Sequence, residues 1–173
     1  RVNIVDDVPP ILEKNIVVTQ GFIGSSGSND VITLGKEGSD YTAAIFSSCL
    51  GAEKVTIWKD VPGILSADPK LIEDTVQIMD LPYTEASEMT YYGANVIHPK
   101  TIKPVANDNI PLIVRSFDNP ELEPTIIKAV EDKALAPSII LKKNQCLFTF
   151  RVRDYTFVDE KSLARIFSTL HQY

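Results

Sequence analysis

Cysteine and histidine are scarce in this sequence. Its two cysteines, Cys49 and Cys146, stand far apart, so a disulfide framework is not expected and a reducing compartment fits. The two histidines, His98 and His171, are too few for a zinc site built from histidines. Gly-x-Ser-x-Gly and Cys-x-x-Cys motifs are also missing. Together these absences argue against a disulfide-rich scaffold and against common hydrolase and thiol-redox sites.

Long apolar runs and basic stripes are missing as well. No apolar stretch approaches ~18 residues, so no membrane-spanning helix is predicted. Lysine and arginine total 17 against 23 acidic residues, a net charge of -6, and no basic stripe offers a nucleic-acid surface. A nucleotide is not excluded, because it needs only a few local donors.

What is present suits a folded domain. Hydrophobic residues make up 44% of the 173 residues, enough for a sizeable core, and 23% are charged. This length predicts one domain, or one domain with a piece of a second. The opening RVNIVDD is neither a signal peptide nor a starting methionine, so we expect the chain to be cut from a longer one.

Strand and helix signals alternate in the first half. Short β-branched runs predict buried strands over residues 14–20, 31–34 and 55–58. A glycine turn at residues 35–38 leads into a helix, with Ser39 as N-cap, Asp40 in the first turn and Gly51 as terminator. This alternation predicts a parallel α/β sheet.

The second half continues this pattern and then changes character. Thr84 is a candidate N-cap for a helix to about Gly93, and Pro104 is expected to kink or shorten a helix starting near Pro99. Residues 110–117 predict a strand, a β-rich segment spans 138–152, and a helix spans 158–173. We predict domains over residues 1–136 and 137–173, the second incomplete or paired with another chain, since one strand and one helix cannot bury both faces.

The stretch TLGKEGSDYTAAI, residues 33–45, is the first candidate site. A glycine turn before a helix can present backbone N–H groups to an anion. Lys36 and Asp40 could also hold the carboxylate and the ammonium of an amino acid. The alternative is that both are solvated turn residues, and local sequence leaves the choice open.

Two further stretches could carry chemistry. In WKDVPGILSADPK, Asp60 follows a predicted strand, where ligands bind in open α/β sheets, and Lys59 and Lys70 could meet phosphates. The same stretch also fits two ordinary turns. In YGANVIHPK, His98 could be a general base, although a helix-cap or packing role is commoner for such a histidine.

Four blocks in order resemble the aspartate kinases: VTQGFIGSS at residues 18–26, TLGKEGSDYTAA at 33–44, WKDVPGILSADPK at 58–70 and YGANVIHPKT at 92–101. The resemblance implies an α/β, three-layer amino-acid-kinase fold with a mostly parallel sheet, followed by an incomplete ACT-like βα unit. It implies transfer of the γ-phosphoryl of ATP, with Mg²⁺ carried by the nucleotide, to the β-carboxylate of L-aspartate.

The resemblance also assigns roles to residues. Gly21 and Phe22 border the aspartate pocket, and Lys36 takes the place of an arginine that binds the substrate α-carboxylate. Ser39 and Asp40 contact or organise substrate, and Asp40 is the candidate catalytic residue. The implied nucleotide-side positions are Lys59, Asp60, Leu65, Lys70 and Asn95. No residue is assigned as a metal ligand.

Several positions depart from the family pattern Gly-Arg-Gly-Gly-Ser-Asp. Lys36 cannot grip a carboxylate with two parallel hydrogen bonds as arginine does. Glu37 replaces a glycine, so the turn must use negative φ there or accept strain. Lys59 and Lys70 stand where threonine and arginine are common. The family's Lys-Phe/Tyr-Gly-Gly-Ser/Thr segment, whose lysine stabilises the transferring phosphoryl group, has no match in these 173 residues.

The resemblance leaves other functions open. One alternative is a kinase of the same fold that acts on glutamate, acetylglutamate or a nucleotide. Another is a regulatory module that senses lysine or threonine. For the longer protein we expect a cytoplasmic homo-oligomer under feedback by lysine or threonine, with no nucleic-acid or membrane partner.

Overall fold

The computed structural model describes residues 2–94, 96–130, 137–151 and 157–172. It divides into two compact units, Arg1–Lys142 and Lys143–Tyr173. The domain boundary predicted at residue 136 and the ACT-like identity of the second unit stay predictions.

A mixed four-stranded sheet organises the first unit. Its strands are β3 (Val55–Lys59), β6 (Asp80–Pro82), β7 (Leu112–Ser116) and β8 (Thr125–Lys128). Their order in the sheet is β3-β7-β8-β6, and two of the three pairings, β3 with β7 and β6 with β8, are parallel. The predicted α/β class with a mostly parallel sheet is therefore confirmed.

Helices and two small hairpins complete the unit. These elements are α1 (Val2–Asp7), α2 (Pro9–Leu12), β1 (Ile23–Ser25), β2 (Val31–Thr33), α3 (Gly38–Leu50), β4 (Ile64–Leu65), β5 (Gln77–Ile78), α4 (Tyr83–Tyr92) and α5 (Pro99–Asn107). Each hairpin is an antiparallel pair, β1 with β2 and β4 with β5. Helix α3 packs on β3, helix α4 packs on β6 and β8, and α5 contacts both α3 and α4.

The core lies between the sheet and these helices. Its largest fully buried side chains come from strands β6, β7 and β8, from helix α5 and from the loop before it, and the smaller Ala44 of α3 and Ala86 of α4 are fully buried as well. Strand β7, with the sequence LIVRS, buries alternate positions: the apolar Leu112 and Val114, and the polar Ser116. The largest of these side chains are Leu81, Ile97, Leu112, Ile127, Val105 and Val114.

Two sequence predictions about helix caps are wrong. Ser39 is not the N-cap, because α3 already begins at Gly38 with Glu37 as its cap residue. Thr84 is not one either, since α4 begins at Tyr83, after Pro82 in extended conformation. The helix predicted near Pro99 is α5, which contains Pro104 and ends three residues later at Asn107; the kink at Pro104 stays a prediction.

Two predicted strand segments are also absent. Residues 14–20 form no strand, and the side chains of Ile16 and Val18 are 94% and 93% exposed. Of the β-rich segment predicted over 138–152, residues 138–151 form no strand either, and residue 152 lies outside the described residues. The β propensity of a segment reflects packing against cross-strand neighbours, and neither segment pairs with a strand within the described residues, although the Ile139 N–H donates a single hydrogen bond to the Ser66 carbonyl at 2.7 Å.

The second unit contains helix α6 (Glu160–Leu170), which falls within the predicted range 158–173. The Asp159 carboxylate caps it by accepting a hydrogen bond from the Ser162 N–H at 2.8 Å. Hydrogen bonds from the Ser162 side chain and from the Ser162 N–H together lower the pKa of Asp159. The apolar face of α6 remains partly exposed, with Phe167 66% accessible.

Alkaline pH is expected to destabilise the first unit through Tyr83. Its hydroxyl donates a hydrogen bond to the Ile110 carbonyl at 2.7 Å, and burial raises its pKa above 10.0. The unfolded chain releases this proton first, so the contribution of Tyr83 to stability is fully present below pH 10.0 and is lost as pH rises through the raised folded pKa.

Urea unfolding on either side of pH 10.0 measures this effect. Tyr83→Phe should reduce the alkaline loss of unfolding free energy, whereas Tyr91→Phe, at a 71% exposed tyrosine, should keep the wild-type loss. Equal losses in all three proteins would contradict the assignment to Tyr83.

Candidate functional site

The glycine turn before α3 adopts a left-handed conformation. Gly35 has φ +82° and Glu37 has φ +55°, and the Gly38 N–H closes the turn by donating to the Gly35 carbonyl at 3.0 Å. The sequence allowed either a negative φ at Glu37 or a strained backbone there, and the structure shows the strained backbone. A non-glycine residue in this region costs about 1–2 kcal/mol, so the surrounding structure must hold Glu37 in place.

The predicted substrate-side residues Gly21 and Phe22 pack against this turn. A Cβ at Gly38 would lie 2.9 Å from the Phe22 ring and 3.0 Å from Leu34 Cβ, so only glycine fits there. A Cβ at Gly21 would lie 3.1 Å from Ser39 Cα. The Phe22 N–H donates to Thr42 Oγ1 at 3.0 Å, which ties this segment to α3.

An ion pair joins Asp40, assigned to the substrate, to Lys59, assigned to the nucleotide. The Lys59 ammonium lies 2.6 Å from Asp40 Oδ2, and their side chains are only 22% and 16% exposed. Asp40 comes from the first turn of α3 and Lys59 from the end of β3. The fold thus brings together a residue assigned to the substrate and one assigned to the nucleotide, which sequence spacing alone does not show.

A cavity of about 460 Å³ opens beside the same turn, and we call it the turn cavity. The turn forms one wall, and the end of α4 and the start of α5 form the other. Its lining residues are Lys36, Glu37, Thr90, Tyr91, Gly93, Ala94, Ile97, His98 and Pro99. Lys36 is exposed.

His98 caps helix α5. Its Nδ1 accepts a hydrogen bond from the Lys100 N–H at 3.2 Å, which places the proton of the neutral ring on Nε2. The capping role that sequence analysis favoured for His98 is therefore observed.

Glu37 is the residue at this site whose role sequence reasoning missed. Its Oε2 atom is buried and has no hydrogen-bond partner among the described residues. The sequence did show that Glu37 replaces the glycine of the family pattern, but this replacement was interpreted only as a source of backbone strain.

The nucleotide-side residues lie beyond the carboxyl end of β3. Asp60 is exposed immediately after this strand, and Leu65 is half-buried in β4. The exposed Lys70 donates its N–H to Asp68 Oδ1 at 2.9 Å, which is the Asp-Pro turn that the sequence also allowed. Asn95 lies outside the described residues.

These residues fit a nucleotide in part. Asp60 offers an exposed carboxylate directly after β3, at the end of a strand where ligands bind in open α/β sheets, and Lys70 is an exposed cation in the turn that follows β4. The ammonium of Lys59 is already compensated by Asp40. Within the described ranges, no group of three or more His, Cys, Asp or Glu side chains could hold a metal ion.

The described helices include none long and apolar enough to cross a membrane.

Comparison with known proteins identifies the relatives of this chain. A family model described as the amino acid kinase family matches residues 1–116. Lysine-sensitive aspartokinase 3 of Escherichia coli (strain K12) is 40% identical over 141 residues, which are 81% of this chain and 31% of that protein. The chloroplastic bifunctional aspartokinase/homoserine dehydrogenase 2 of Zea mays is 48% identical over 112 residues, or 65% of this chain and 12% of that protein.

A solved structure is similar over most of the chain. It is E. coli aspartokinase III in complex with aspartate and ADP, with a TM-score of 0.69 and 40% identity, covering 73% of this chain and 28% of that one. The present chain thus spans less than a third of the length of each of these relatives.

Proposed function

The chain belongs to the amino acid kinase family, and we propose that it is part of an aspartate kinase. In this proposal the longer protein transfers the γ-phosphoryl group of ATP to the β-carboxylate of L-aspartate. The present chain supplies one wall of the aspartate site and part of the nucleotide site. The similar E. coli enzyme, which was solved with aspartate and ADP, supports this choice of ligands.

The ion pair between Asp40 and Lys59 is the observation that carries the proposal. It joins the helix that begins at the glycine turn to the end of β3, which supports the proposal that the aspartate and nucleotide sides belong to one site. Such contiguity is what phosphoryl transfer requires, since the reaction depends on positioning and on neutralising charge.

In this proposal different residues of the chain contact different parts of the two substrates. Lys36 faces the substrate carboxylate as a point charge, and Gly21, Phe22 and Ser39 shape the turn around it. Asp40 organises Lys59. Asp60, Leu65, Lys70 and Asn95 are proposed to contact ATP, and Mg²⁺ enters with the nucleotide and neutralises phosphate charge there.

The chain alone is expected not to phosphorylate aspartate. The resemblance assigns stabilisation of the transferring group to a lysine segment that is missing from this sequence. One lost electrostatic group of this kind costs about 3–4 kcal/mol of transition-state stabilisation. Incubation with MgATP, L-aspartate and hydroxylamine should yield no aspartyl-hydroxamate above a blank without protein, and detectable product would contradict the expectation.

Ligand binding tests the proposal itself. The melting temperature of the chain is expected to rise with ATP or L-aspartate, and lysine or threonine should have no comparable effect. A response to L-glutamate in place of L-aspartate would favour another kinase of this fold. A response to lysine or threonine alone would favour a regulatory module.

The remaining features concern the longer protein. We propose that it is a cytoplasmic homo-oligomer in which lysine or threonine acts as feedback ligand. The name of the lysine-sensitive relative supports lysine among these. We also propose that residues 137–173 begin an ACT-like regulatory domain.

A further inference from the structure

Residues 137–142, which we call the anchored segment, form no helix or strand but belong to the first unit. Most of this segment is exposed, and the side chains of Ile139 and Leu141 are 61% and 59% accessible. Ile140 is the exception, because its side chain is half-buried and packs against the hydrophobic core. A single apolar side chain therefore fixes an otherwise exposed segment to the unit.

The backbone of the anchored segment is bonded to the β4–β5 hairpin. The Ile139 N–H donates to the Ser66 carbonyl at 2.7 Å. Ser66 also closes the hairpin, since its N–H donates to the Val76 carbonyl at 2.8 Å and its Oγ accepts from the Val76 N–H at 3.0 Å. Ser66 is thus held both by the residue that precedes β5 and by the anchored segment.

The side chain of Ile140 lies against the end of helix α4. Gly93 caps this helix at φ +125°, and a Cβ built on it would be 3.8 Å from Ile140 Cγ2. That distance is an ordinary van der Waals contact. Adjacent residues of the anchored segment therefore contact two elements that are far apart in the sequence, the hairpin and the end of α4.

Each of these two elements carries a residue proposed to contact ATP. Ser66 follows Leu65 directly, and Gly93 stands two positions before Asn95 in the sequence. The anchored segment itself contributes no proposed ligand contact. It lies outside residues 1–116, which the family model matches, and outside the four blocks that carry the family resemblance.

We propose that Ile139 and Ile140 are positioning residues for the nucleotide, because they connect the β4–β5 hairpin to the end of α4. The inference rests on the proposed function and deepens it. Without this connection the hairpin and the helix end are free to move separately, and ATP binding has to order them, which weakens it. Aspartate binding does not require that ordering, since the residues assigned to aspartate lie at the glycine turn.

The test compares Ile140 with Leu141, the neighbouring side chain that is 59% exposed. NMR titration of the 173-residue chain gives the dissociation constants of ATP and of L-aspartate. The variants are Ile140→Ala, Ile139→Pro, which removes the donor to Ser66, the conservative Ile140→Val and the control Leu141→Ala. Hydrogen exchange of the Val76 amide reports on the hairpin without any ligand.

Ile140→Ala and Ile139→Pro are expected to weaken ATP binding about threefold or more and to speed exchange of the Val76 amide. Their aspartate affinity should stay at the wild-type value, which a general loss of structure would not allow. Ile140→Val and Leu141→Ala should resemble wild type in every measurement.

Unchanged ATP affinity in Ile140→Ala, or equal losses for ATP and aspartate, would overturn the positioning role and leave the proposed function intact. A loss of ATP affinity in Leu141→Ala as large as that in Ile140→Ala would overturn it as well. If the wild-type chain binds no ATP, the proposed function falls, and this inference with it.

Discussion

Replacing Thr125 with valine is expected to lower the free energy of unfolding by about 2–4 kcal/mol, because it leaves two buried backbone groups unpaired. Thr125 is fully buried. Its hydroxyl accepts a hydrogen bond from the Ile64 N–H at 2.8 Å and donates one to the Ile78 carbonyl at 2.6 Å. Valine has nearly the same shape, so the loss reports the hydrogen bonds and not a cavity.

The same hydroxyl positions the β4–β5 hairpin on the sheet. Thr125 belongs to β8, whereas Ile64 and Ile78 are paired residues of the hairpin. A Cβ at Gly63 would lie 2.5 Å from Thr125 Oγ1, so glycine lets the hairpin approach this closely. Leu65, one of the proposed nucleotide contacts, is carried by this hairpin, and we therefore expect weaker ATP binding in Thr125→Val as well.

Urea denaturation followed through the fluorescence of Trp58, the only tryptophan in the sequence, measures the change. Thr125→Ser keeps the hydroxyl and should lose only about 1 kcal/mol for the missing methyl group. Thr33→Val, at an exposed strand residue, is the matched control and should stay close to wild type. A Thr125→Val protein as stable as the control would show that these hydrogen bonds contribute nothing.

Replacing Lys59 with methionine should cost about 2 kcal/mol of stability, less than the loss for a fully buried pair because both side chains retain some solvent contact. The substitution keeps the apolar stem and removes the ammonium that lies 2.6 Å from Asp40. The Asp40 carboxylate, 16% exposed, would then lack its counter-charge. ATP and aspartate binding should weaken together, because the pair links both sides of the proposed site.

The chain provides its own control for this experiment. Lys128 and Asp80 form an ion pair at the same distance, 2.6 Å, but their side chains are 40% and 42% exposed. Lys128→Met should therefore cost no more than about 1 kcal/mol. Adding Asp40→Asn to Lys59→Met should recover part of the loss, because the uncompensated charge is then gone. Equal costs for Lys59→Met and Lys128→Met would exclude a special role for burial.

Local sequence patterns were sufficient where an element depends on its own residues. Helix α3 was predicted from its glycine turn and ends at Gly51, which has φ +60° as its terminating role requires. Strand β3 was predicted from an apolar run, and His98 from the Pro99 that follows it as a helix cap. These features need a single glycine, proline or apolar run, and no distant contact.

Local sequence patterns gave wrong predictions for strands, because a strand depends on a neighbouring strand for its stability. Residues 14–20 carry the apolar, β-branched signal of a strand, yet Ile16 is 94% exposed and the segment forms none. The strand prediction for 138–152 is wrong in the same way over residues 138–151, which the structure describes. A strand is stabilised by the neighbour it pairs with, and the signal within one segment cannot supply that neighbour.

The sequence by itself determined the family resemblance, the α/β class and the set of candidate residues, because motifs and periodicity are written in consecutive positions. Only the tertiary structure decided how the charges at the turn are used. Asp40 and Lys59 are 19 positions apart in the chain and meet through the packing of α3 on β3. That contact gives Asp40 a counter-charge, whereas Glu37, held at positive φ in the same turn, has a buried Oε2 that accepts no hydrogen bond among the described residues. The pairing of two charges depends on the distance between them in the folded chain, and local sequence patterns do not give that distance.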